Sequence, residues 1–145
     1  MNNSLASTIS DFLKNYVPFS NLTVEELETI ALSVNVLSLD KNETLFKIGD
    51  ELHNKFYVVA SGLMHITLIS DAEETLIDKP SVGEVFGLRP FFAKNSYATT
   101  AKAVQDSVIY AIPVVVFKPI IARSTVVLDF LLQNLHLHLR ILLKI

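Results

Sequence analysis

Gly83-Glu84-Val85-Phe86-Gly87-Leu88-Arg89-Pro90, followed thirteen residues after Gly87 by Thr100-Ala101-Lys102-Ala103, sets two glycine corners around a short apolar run. The chain has four glycines, and the other two, Gly49 and Gly62, close similar runs: Phe46-Lys47-Ile48-Gly49 and Tyr57-Val58-Val59-Ala60-Ser61-Gly62. Glycine tolerates the positive φ of a tight corner, so these four positions predict where a sheet bends. Outward from them lie short β-branched or aromatic segments: 36–39, 44–47, 56–59, 63–69, 75–78, 97–101 and 107–112. Asp40-Lys41-Asn42, Gly49-Asp50, Ser61-Gly62, Asp71-Ala72-Glu73 and Lys79-Pro80-Ser81 separate them as turns. Seven or eight short strands at that spacing predict a sandwich or roll.

Helical periodicity flanks this region. Leu5, Ile9, Phe12, Leu13 and Tyr16 recur at helical spacing, with Ser4 placed as a cap. Thr23 and Glu26 form a capping box before the stripe Leu27, Ile30, Ala31 and Val34, with Leu22 as its hydrophobic staple. After Pro113 a short helix is expected over 114–122 and a longer one from about Thr125 onward. Its stripe is read as Leu128, Leu131, Leu132, Leu135, Leu139 and Leu142, with Phe130, Leu137, Ile141 and Leu143 on other faces. A helix apolar on more than one side needs more than one cover, which predicts a second subunit or a following domain. The expected architecture is mainly β with flanking helices in one domain, 1–145. N-terminal helices occupy 1–34, a roll 35–112, and C-terminal helices 113–145.

Composition removes several function classes. Half of the 145 residues are hydrophobic and 19% are charged, while the net charge of −3 supplies no basic field for nucleic acid. The chain has no cysteine, which excludes disulfides and thiolate chemistry. Met1-Asn2-Asn3-Ser4 is not a signal-peptide start, and neither 108–121 nor 126–145 is a charge-poor span of bilayer length. A cytoplasmic protein is expected, without nucleic-acid or membrane contacts. His53, His65, His136 and His138 do not fall at metal-pair spacing, since i, i+2 on a helix points two ways. Asp71, Glu73 and Glu74 read as a solvated hairpin tip, and Glu43, Asp50 and Glu51 flank another corner. With no Ser-His-Asp arrangement and no phosphate-binding lysine loop, no catalysis is expected.

The glycine spacings, Tyr57 ahead of Ser61-Gly62, and the Phe86-Gly87 corner make the chain resemble the cyclic-nucleotide-binding domain family. Catabolite activator proteins, kinase regulatory subunits and gated channels carry such domains. The resemblance implies an eight-stranded jelly roll, a double-stranded β-helix, with a phosphate-binding cassette at 83–103. It also implies ligand contacts at Phe86, Gly87, Leu88, Arg89, Tyr97, Ala98 and Thr99. The family's cassette runs Phe-Gly-Glu, several apolar residues, then Pro-Arg-Ala-Ala/Thr-Thr. Its Glu accepts from the ribose, its Arg neutralises the phosphate, and a short helix aims backbone N–H groups at the same phosphate.

Aligned without a gap, Leu88 takes the place of that Glu and Tyr97 that of the Arg. Loss of a buried phosphate partner costs on the order of 2–5 kcal/mol. At tenfold per about 1.4 kcal/mol, a micromolar affinity for cAMP or cGMP falls to about millimolar. Arg89 is expected as a solvated residue beside a turn, with a pocket-facing, anion-meeting orientation as the alternative. Pro90 is expected to keep residue 89 out of a helical conformation and to open a short helix through Phe91 and Phe92. Those two rings and Phe86 are read as core or lid rather than base-stacking platforms.

The expected function is that of a sensor module relaying ligand or partner state through its C-terminal helices, as a homodimer through the last helix or a following domain. The alternative is a non-binding dimerisation or docking domain, such as the start of a CBS/nucleotidyltransferase-type signalling protein.

Overall fold

In the computed structural model the backbone is described for residues 3–143 and the side chains for 4–134. Helix α1 (Asn3–Leu13) already contains Ser4, so the expected cap lies inside the helix, where the Ser4 carbonyl accepts from Thr8 Oγ1 at 2.9 Å. Helix α2 (Val24–Ser33) starts on the capping box read from sequence. Thr23 Oγ1 accepts from the Glu26 N–H at 3.1 Å, and Glu26 Oε1 accepts from the Thr23 N–H at 2.9 Å. The second Glu26 oxygen pairs with Arg123 at 2.7 Å. One carboxylate thus caps α2 and ties it to the end of α3 (Val114–Arg123).

Eight strands follow: β1 (Asn35–Leu39), β2 (Thr44–Phe46), β3 (Lys55–Ser61), β4 (Met64–Ser70), β5 (Glu73–Asp78), β6 (Val85–Phe86), β7 (Thr100–Ala103) and β8 (Ser107–Pro113). They form two four-stranded antiparallel sheets, ordered β1-β8-β3-β6 and β2-β7-β4-β5. Consecutive strands alternate between the sheets except at the β4–β5 hairpin, which lies within the second sheet; this is the jelly-roll path. The strand expected over 97–101 begins only at Thr100; before it, Tyr97 exchanges backbone hydrogen bonds with Gly49 and Asp50 next to the isolated Glu51–Ser96 bridge. The two-residue β6 is too short for its alternation to show in sequence.

The central strands of the first sheet, β3 and β8, are buried on both faces, which explains their near-continuous apolar sequence. Tyr57, Val59, Ile109 and Ala111 face the second sheet. Phe56, Val58, Tyr110 and Ile112 face the helices, against Ile9, Leu13, Phe19, Ile30, Phe117 and Ile120. The second sheet covers only its inner face, with Met64 and Ile66 inside and His65 and Thr67 partly open. Gly62 lets β3 turn back: its φ is +93°, and a Cβ there would meet Ser107 Oγ at 2.1 Å and the Asp106 carbonyl at 2.7 Å.

Helix α4 (Thr125–Leu143) docks through a different stripe from the one expected. Val127 and Leu131 are buried and Phe130 packs beside them, whereas Leu128 is 39% and Leu132 52% exposed. Of the leucine stripe, Leu131 is on the docking face, which also takes Val127 and Phe130, while Leu128 and Leu132 lie outside it. The side chains of residues 135–145, including the remaining stripe leucines, His136 and His138, lie outside the described residues. Among the described residues no helix is long and apolar enough to cross a membrane.

Candidate functional site

Where β6 ends, the chain turns through Gly87 with φ +71°, and its missing Cβ lets the backbone pass the Tyr57 ring, which a Cβ would meet at 2.8 Å. The corner opens a cavity of about 120 Å³ between the mouth of the roll and α4. Ile66 of β4, Ile77 and Asp78 of β5, and Val85 and Phe86 of β6 line the roll side. Gly87, Leu88, Arg89, Phe92, Tyr97 and Thr99 supply the cassette wall, Phe46 the inner end, and Asn134 the α4 side. Six of the seven positions expected to meet a ligand therefore share one cavity. Ala98 does not line it.

Each cassette side chain has a distinct job. Leu88 replaces an acceptor with an apolar surface that also packs against the helical core. The 3-10 helix Arg89–Phe91 begins at Arg89 itself, so Pro90 does not keep that residue out of the helical turn as expected. Phe92 is its C-cap rather than part of the helix, and its N–H donates to the Arg89 carbonyl at 3.0 Å. Pro90 at the start of this turn also removes one N–H donor that an anion would have used. Phe91 leaves the pocket for the core, 5.4 Å from Phe56 and 6.3 Å from Phe117 between ring centres, while Phe92 stays in the wall. Phe86 does both, lining the cavity and stacking on Tyr57 at 5.4 Å.

Arg89 is not the solvated turn residue expected as the default. It is partly buried in the cavity wall, with Nε donating to the Ser96 carbonyl at 2.7 Å and Nη2 to Asn95 Oδ1 at 3.1 Å. Its guanidinium lies 5.7 Å from the centre of the Phe92 ring.

Tyr97 is turned away from the role its alignment suggested. The ring is 2% exposed and stacks on Phe46 with centroids 3.9 Å apart. Its hydroxyl accepts from the His53 N–H at 3.3 Å and hydrogen-bonds the Tyr57 hydroxyl, which in turn meets His53 Nδ1. Burial pushes the Tyr97 phenol above its ordinary value, with the His53 and Tyr57 hydrogen bonds opposing. Tyr57 is pushed up by burial and then by the neighbouring Tyr97, and burial pushes His53 down. At neutral pH all three stay uncharged. The aligned phosphate position therefore holds a neutral phenol whose hydroxyl is already engaged. Among the described residues no group of three or more acidic, histidine or cysteine side chains is placed to hold a metal ion.

Sequence reasoning missed Phe46, Ile66, Ile77, Asp78, Val85 and Asn134 as wall residues. Asn134 carried a legible signal: it follows Val127 and Leu131 at i+7 and i+3, a polar side chain on the docking face. Its amide donates to the Phe130 carbonyl at 2.8 Å.

A family model described as "Cyclic nucleotide-binding domain" matches residues 36–124. No curated protein matches the chain. Among solved structures, the sensor domain of the transcriptional regulator DNR from Pseudomonas aeruginosa superposes with a TM-score of 0.80 at 23% identity, over 94% of this chain and 93% of that one. The regulatory subunit of a cAMP-independent protein kinase A from Trypanosoma cruzi, bound to guanosine, gives 0.75 at 18% identity, over 88% of this chain and 45% of that one. The Thermus thermophilus catabolite activator protein gives 0.70 at 24% identity, over 84% and 57%. The chain thus spans about half the length of the last two, and at these identities the likeness shows the fold.

Proposed function

The chain belongs to the cyclic nucleotide-binding domain family, and from that premise we propose a non-catalytic, cytoplasmic sensor module whose pocket does not anchor a cyclic phosphate. The ligand contacts assigned to it are Phe86, Gly87, Leu88, Arg89 and Thr99, with Tyr97 as inner wall and Ala98 as backbone beside it. The observation that carries the reading is the state of Tyr97: buried, stacked on Phe46 and hydrogen-bonded to His53 and Tyr57. A side chain so committed offers no cation to a phosphate, and Leu88 offers no acceptor to a ribose. The guanosine-bound trypanosome subunit supports the idea that this fold can hold a ligand lacking phosphate.

Occupancy would reach α4 through Asn134, which belongs both to the pocket wall and to the docking stripe. Such a relay works only if the ligand binds one placement of α4 more tightly than another. Calorimetric titration with cAMP and cGMP tests the pocket. The expected result is no binding tighter than about 10 μM, with dissociation constants in about the millimolar range. Clear saturation below that concentration would overturn the reading.

A homodimer through α4 is the second element of the proposal. Val126, Leu128 and Leu132 lie exposed beside the docking stripe, an apolar row that a second helix would cover. Light scattering at high concentration is expected to give twice the chain mass. A strict monomer would remove this element and leave the pocket reading intact.

A further inference from the structure

Arg89 brings a positive charge into the pocket wall, and no ion pair engages it among the described residues. The two ion pairs among the described residues join Lys14 to Asp11 and Arg123 to Glu26. The partners of Arg89 are neutral: the Ser96 carbonyl, the Asn95 amide oxygen and the face of Phe92. These contacts fix the guanidinium through Nε and Nη2, and no hydrogen bond engages Nη1 among the described residues. A cation already immobilised loses little conformational freedom on meeting an anion, and a guanidinium matches a carboxylate through parallel N–H donors.

The space beside it sets the rest of the ligand. Leu88, Phe92, Phe86, Ile66 and Ile77 give an apolar surround, and the Leu88 side is apolar where the family places an acceptor. The cavity of about 120 Å³ approaches the roughly 150 Å³ of an apolar cavity known to take benzene. One ring fits that space.

We propose that the pocket binds a small apolar monocarboxylate of about one ring, its body among Leu88, Phe86 and Phe92 and its carboxylate on Arg89. The assignment rests on the sensor reading above and names its ligand class. Benzoate and its neutral counterpart benzamide are the probes, titrated calorimetrically into the wild-type protein and Arg89→Gln, with guanosine as a third probe. Wild type is expected to prefer benzoate by about tenfold, the difference between a charge-assisted and a neutral hydrogen bond. Arg89→Gln is expected to abolish that preference. Equal binding of the two probes by wild type, no benzoate binding, or a preference that survives in a folded Arg89→Gln would each overturn the proposal. The wild-type comparison decides by itself if the variant does not fold. Guanosine binding without benzoate binding sinks the carboxylate and spares the sensor reading, whereas tight cAMP binding sinks that reading.

Discussion

Phe56→Ala is expected to lower the unfolding free energy by about 3–5 kcal/mol, the range for a fully buried phenylalanine. The side chain is 1% exposed and holds three parts of the molecule to the first sheet. It stacks on Phe19 of the N-terminal segment at 6.5 Å, meets Phe91 of the cassette at 5.4 Å, and meets Phe117 of α3 at 5.1 Å edge-on. Those neighbours belong to separate elements, so no single one can slide in to fill the gap. The cavity term should therefore be close to its full size. A loss of this size is a large part of the 5–15 kcal/mol typical of a domain. Urea denaturation is the check: the midpoint should fall with an unchanged slope. A loss near 1 kcal/mol would mean that the aromatic cluster collapses freely.

The same cluster shows why the fold was readable before the site was. Corner glycines, the capping box and apolar runs are local signals, each enforced by backbone geometry within a few residues. They place the roll and α2 correctly. The double burial of the first sheet is visible too, in the unbroken run Phe56-Tyr57-Val58-Val59, although only the structure shows which residues face helices and which face the second sheet. The docking face of α4 was not legible, because Val127, Phe130 and Leu131 match the helical period no better than Leu128, Leu131 and Leu132. What separates the two sets is the sheet they meet, and that partner lies far away in sequence.

The cassette was legible as an address and less so as chemistry. Alignment located Leu88 and Tyr97 at the positions where the family carries its Glu and its Arg. It could not tell that the Tyr97 hydroxyl points to His53 and Tyr57, residues forty or more positions earlier on another strand and corner. Nor could it tell that Arg89 folds back on Ser96 and Asn95 instead of meeting solvent. Ile66 and Ile77 belong to the pocket through tertiary packing, and their local sequence resembles any strand.

Restoring the family's side chains, as Leu88→Glu with Tyr97→Arg, is therefore expected to damage the protein without recovering tight cAMP binding. Arginine at position 97 would replace a ring that is 2% exposed, stacked on Phe46 and flanked by His53. An uncompensated charge buried there costs about 3–5 kcal/mol. Removing only the hydroxyl, as Tyr97→Phe, should cost about 1 kcal/mol, because it breaks hydrogen bonds but keeps the stack. The ordering of wild type, Tyr97→Phe and Tyr97→Arg in urea denaturation thus separates the aromatic contribution from the electrostatic one. Calorimetry on the double variant should still show cAMP binding weaker than about 10 μM, since the guanidinium must first be drawn out of an aromatic core that has no room to hydrate it. The contrary outcome is specific. A double variant with wild-type stability and low-micromolar cAMP affinity would mean that Tyr97 only occupies a seat from which a cation can reach the phosphate. The aromatic core around Phe46 and Tyr57 would then be no obstacle to nucleotide binding.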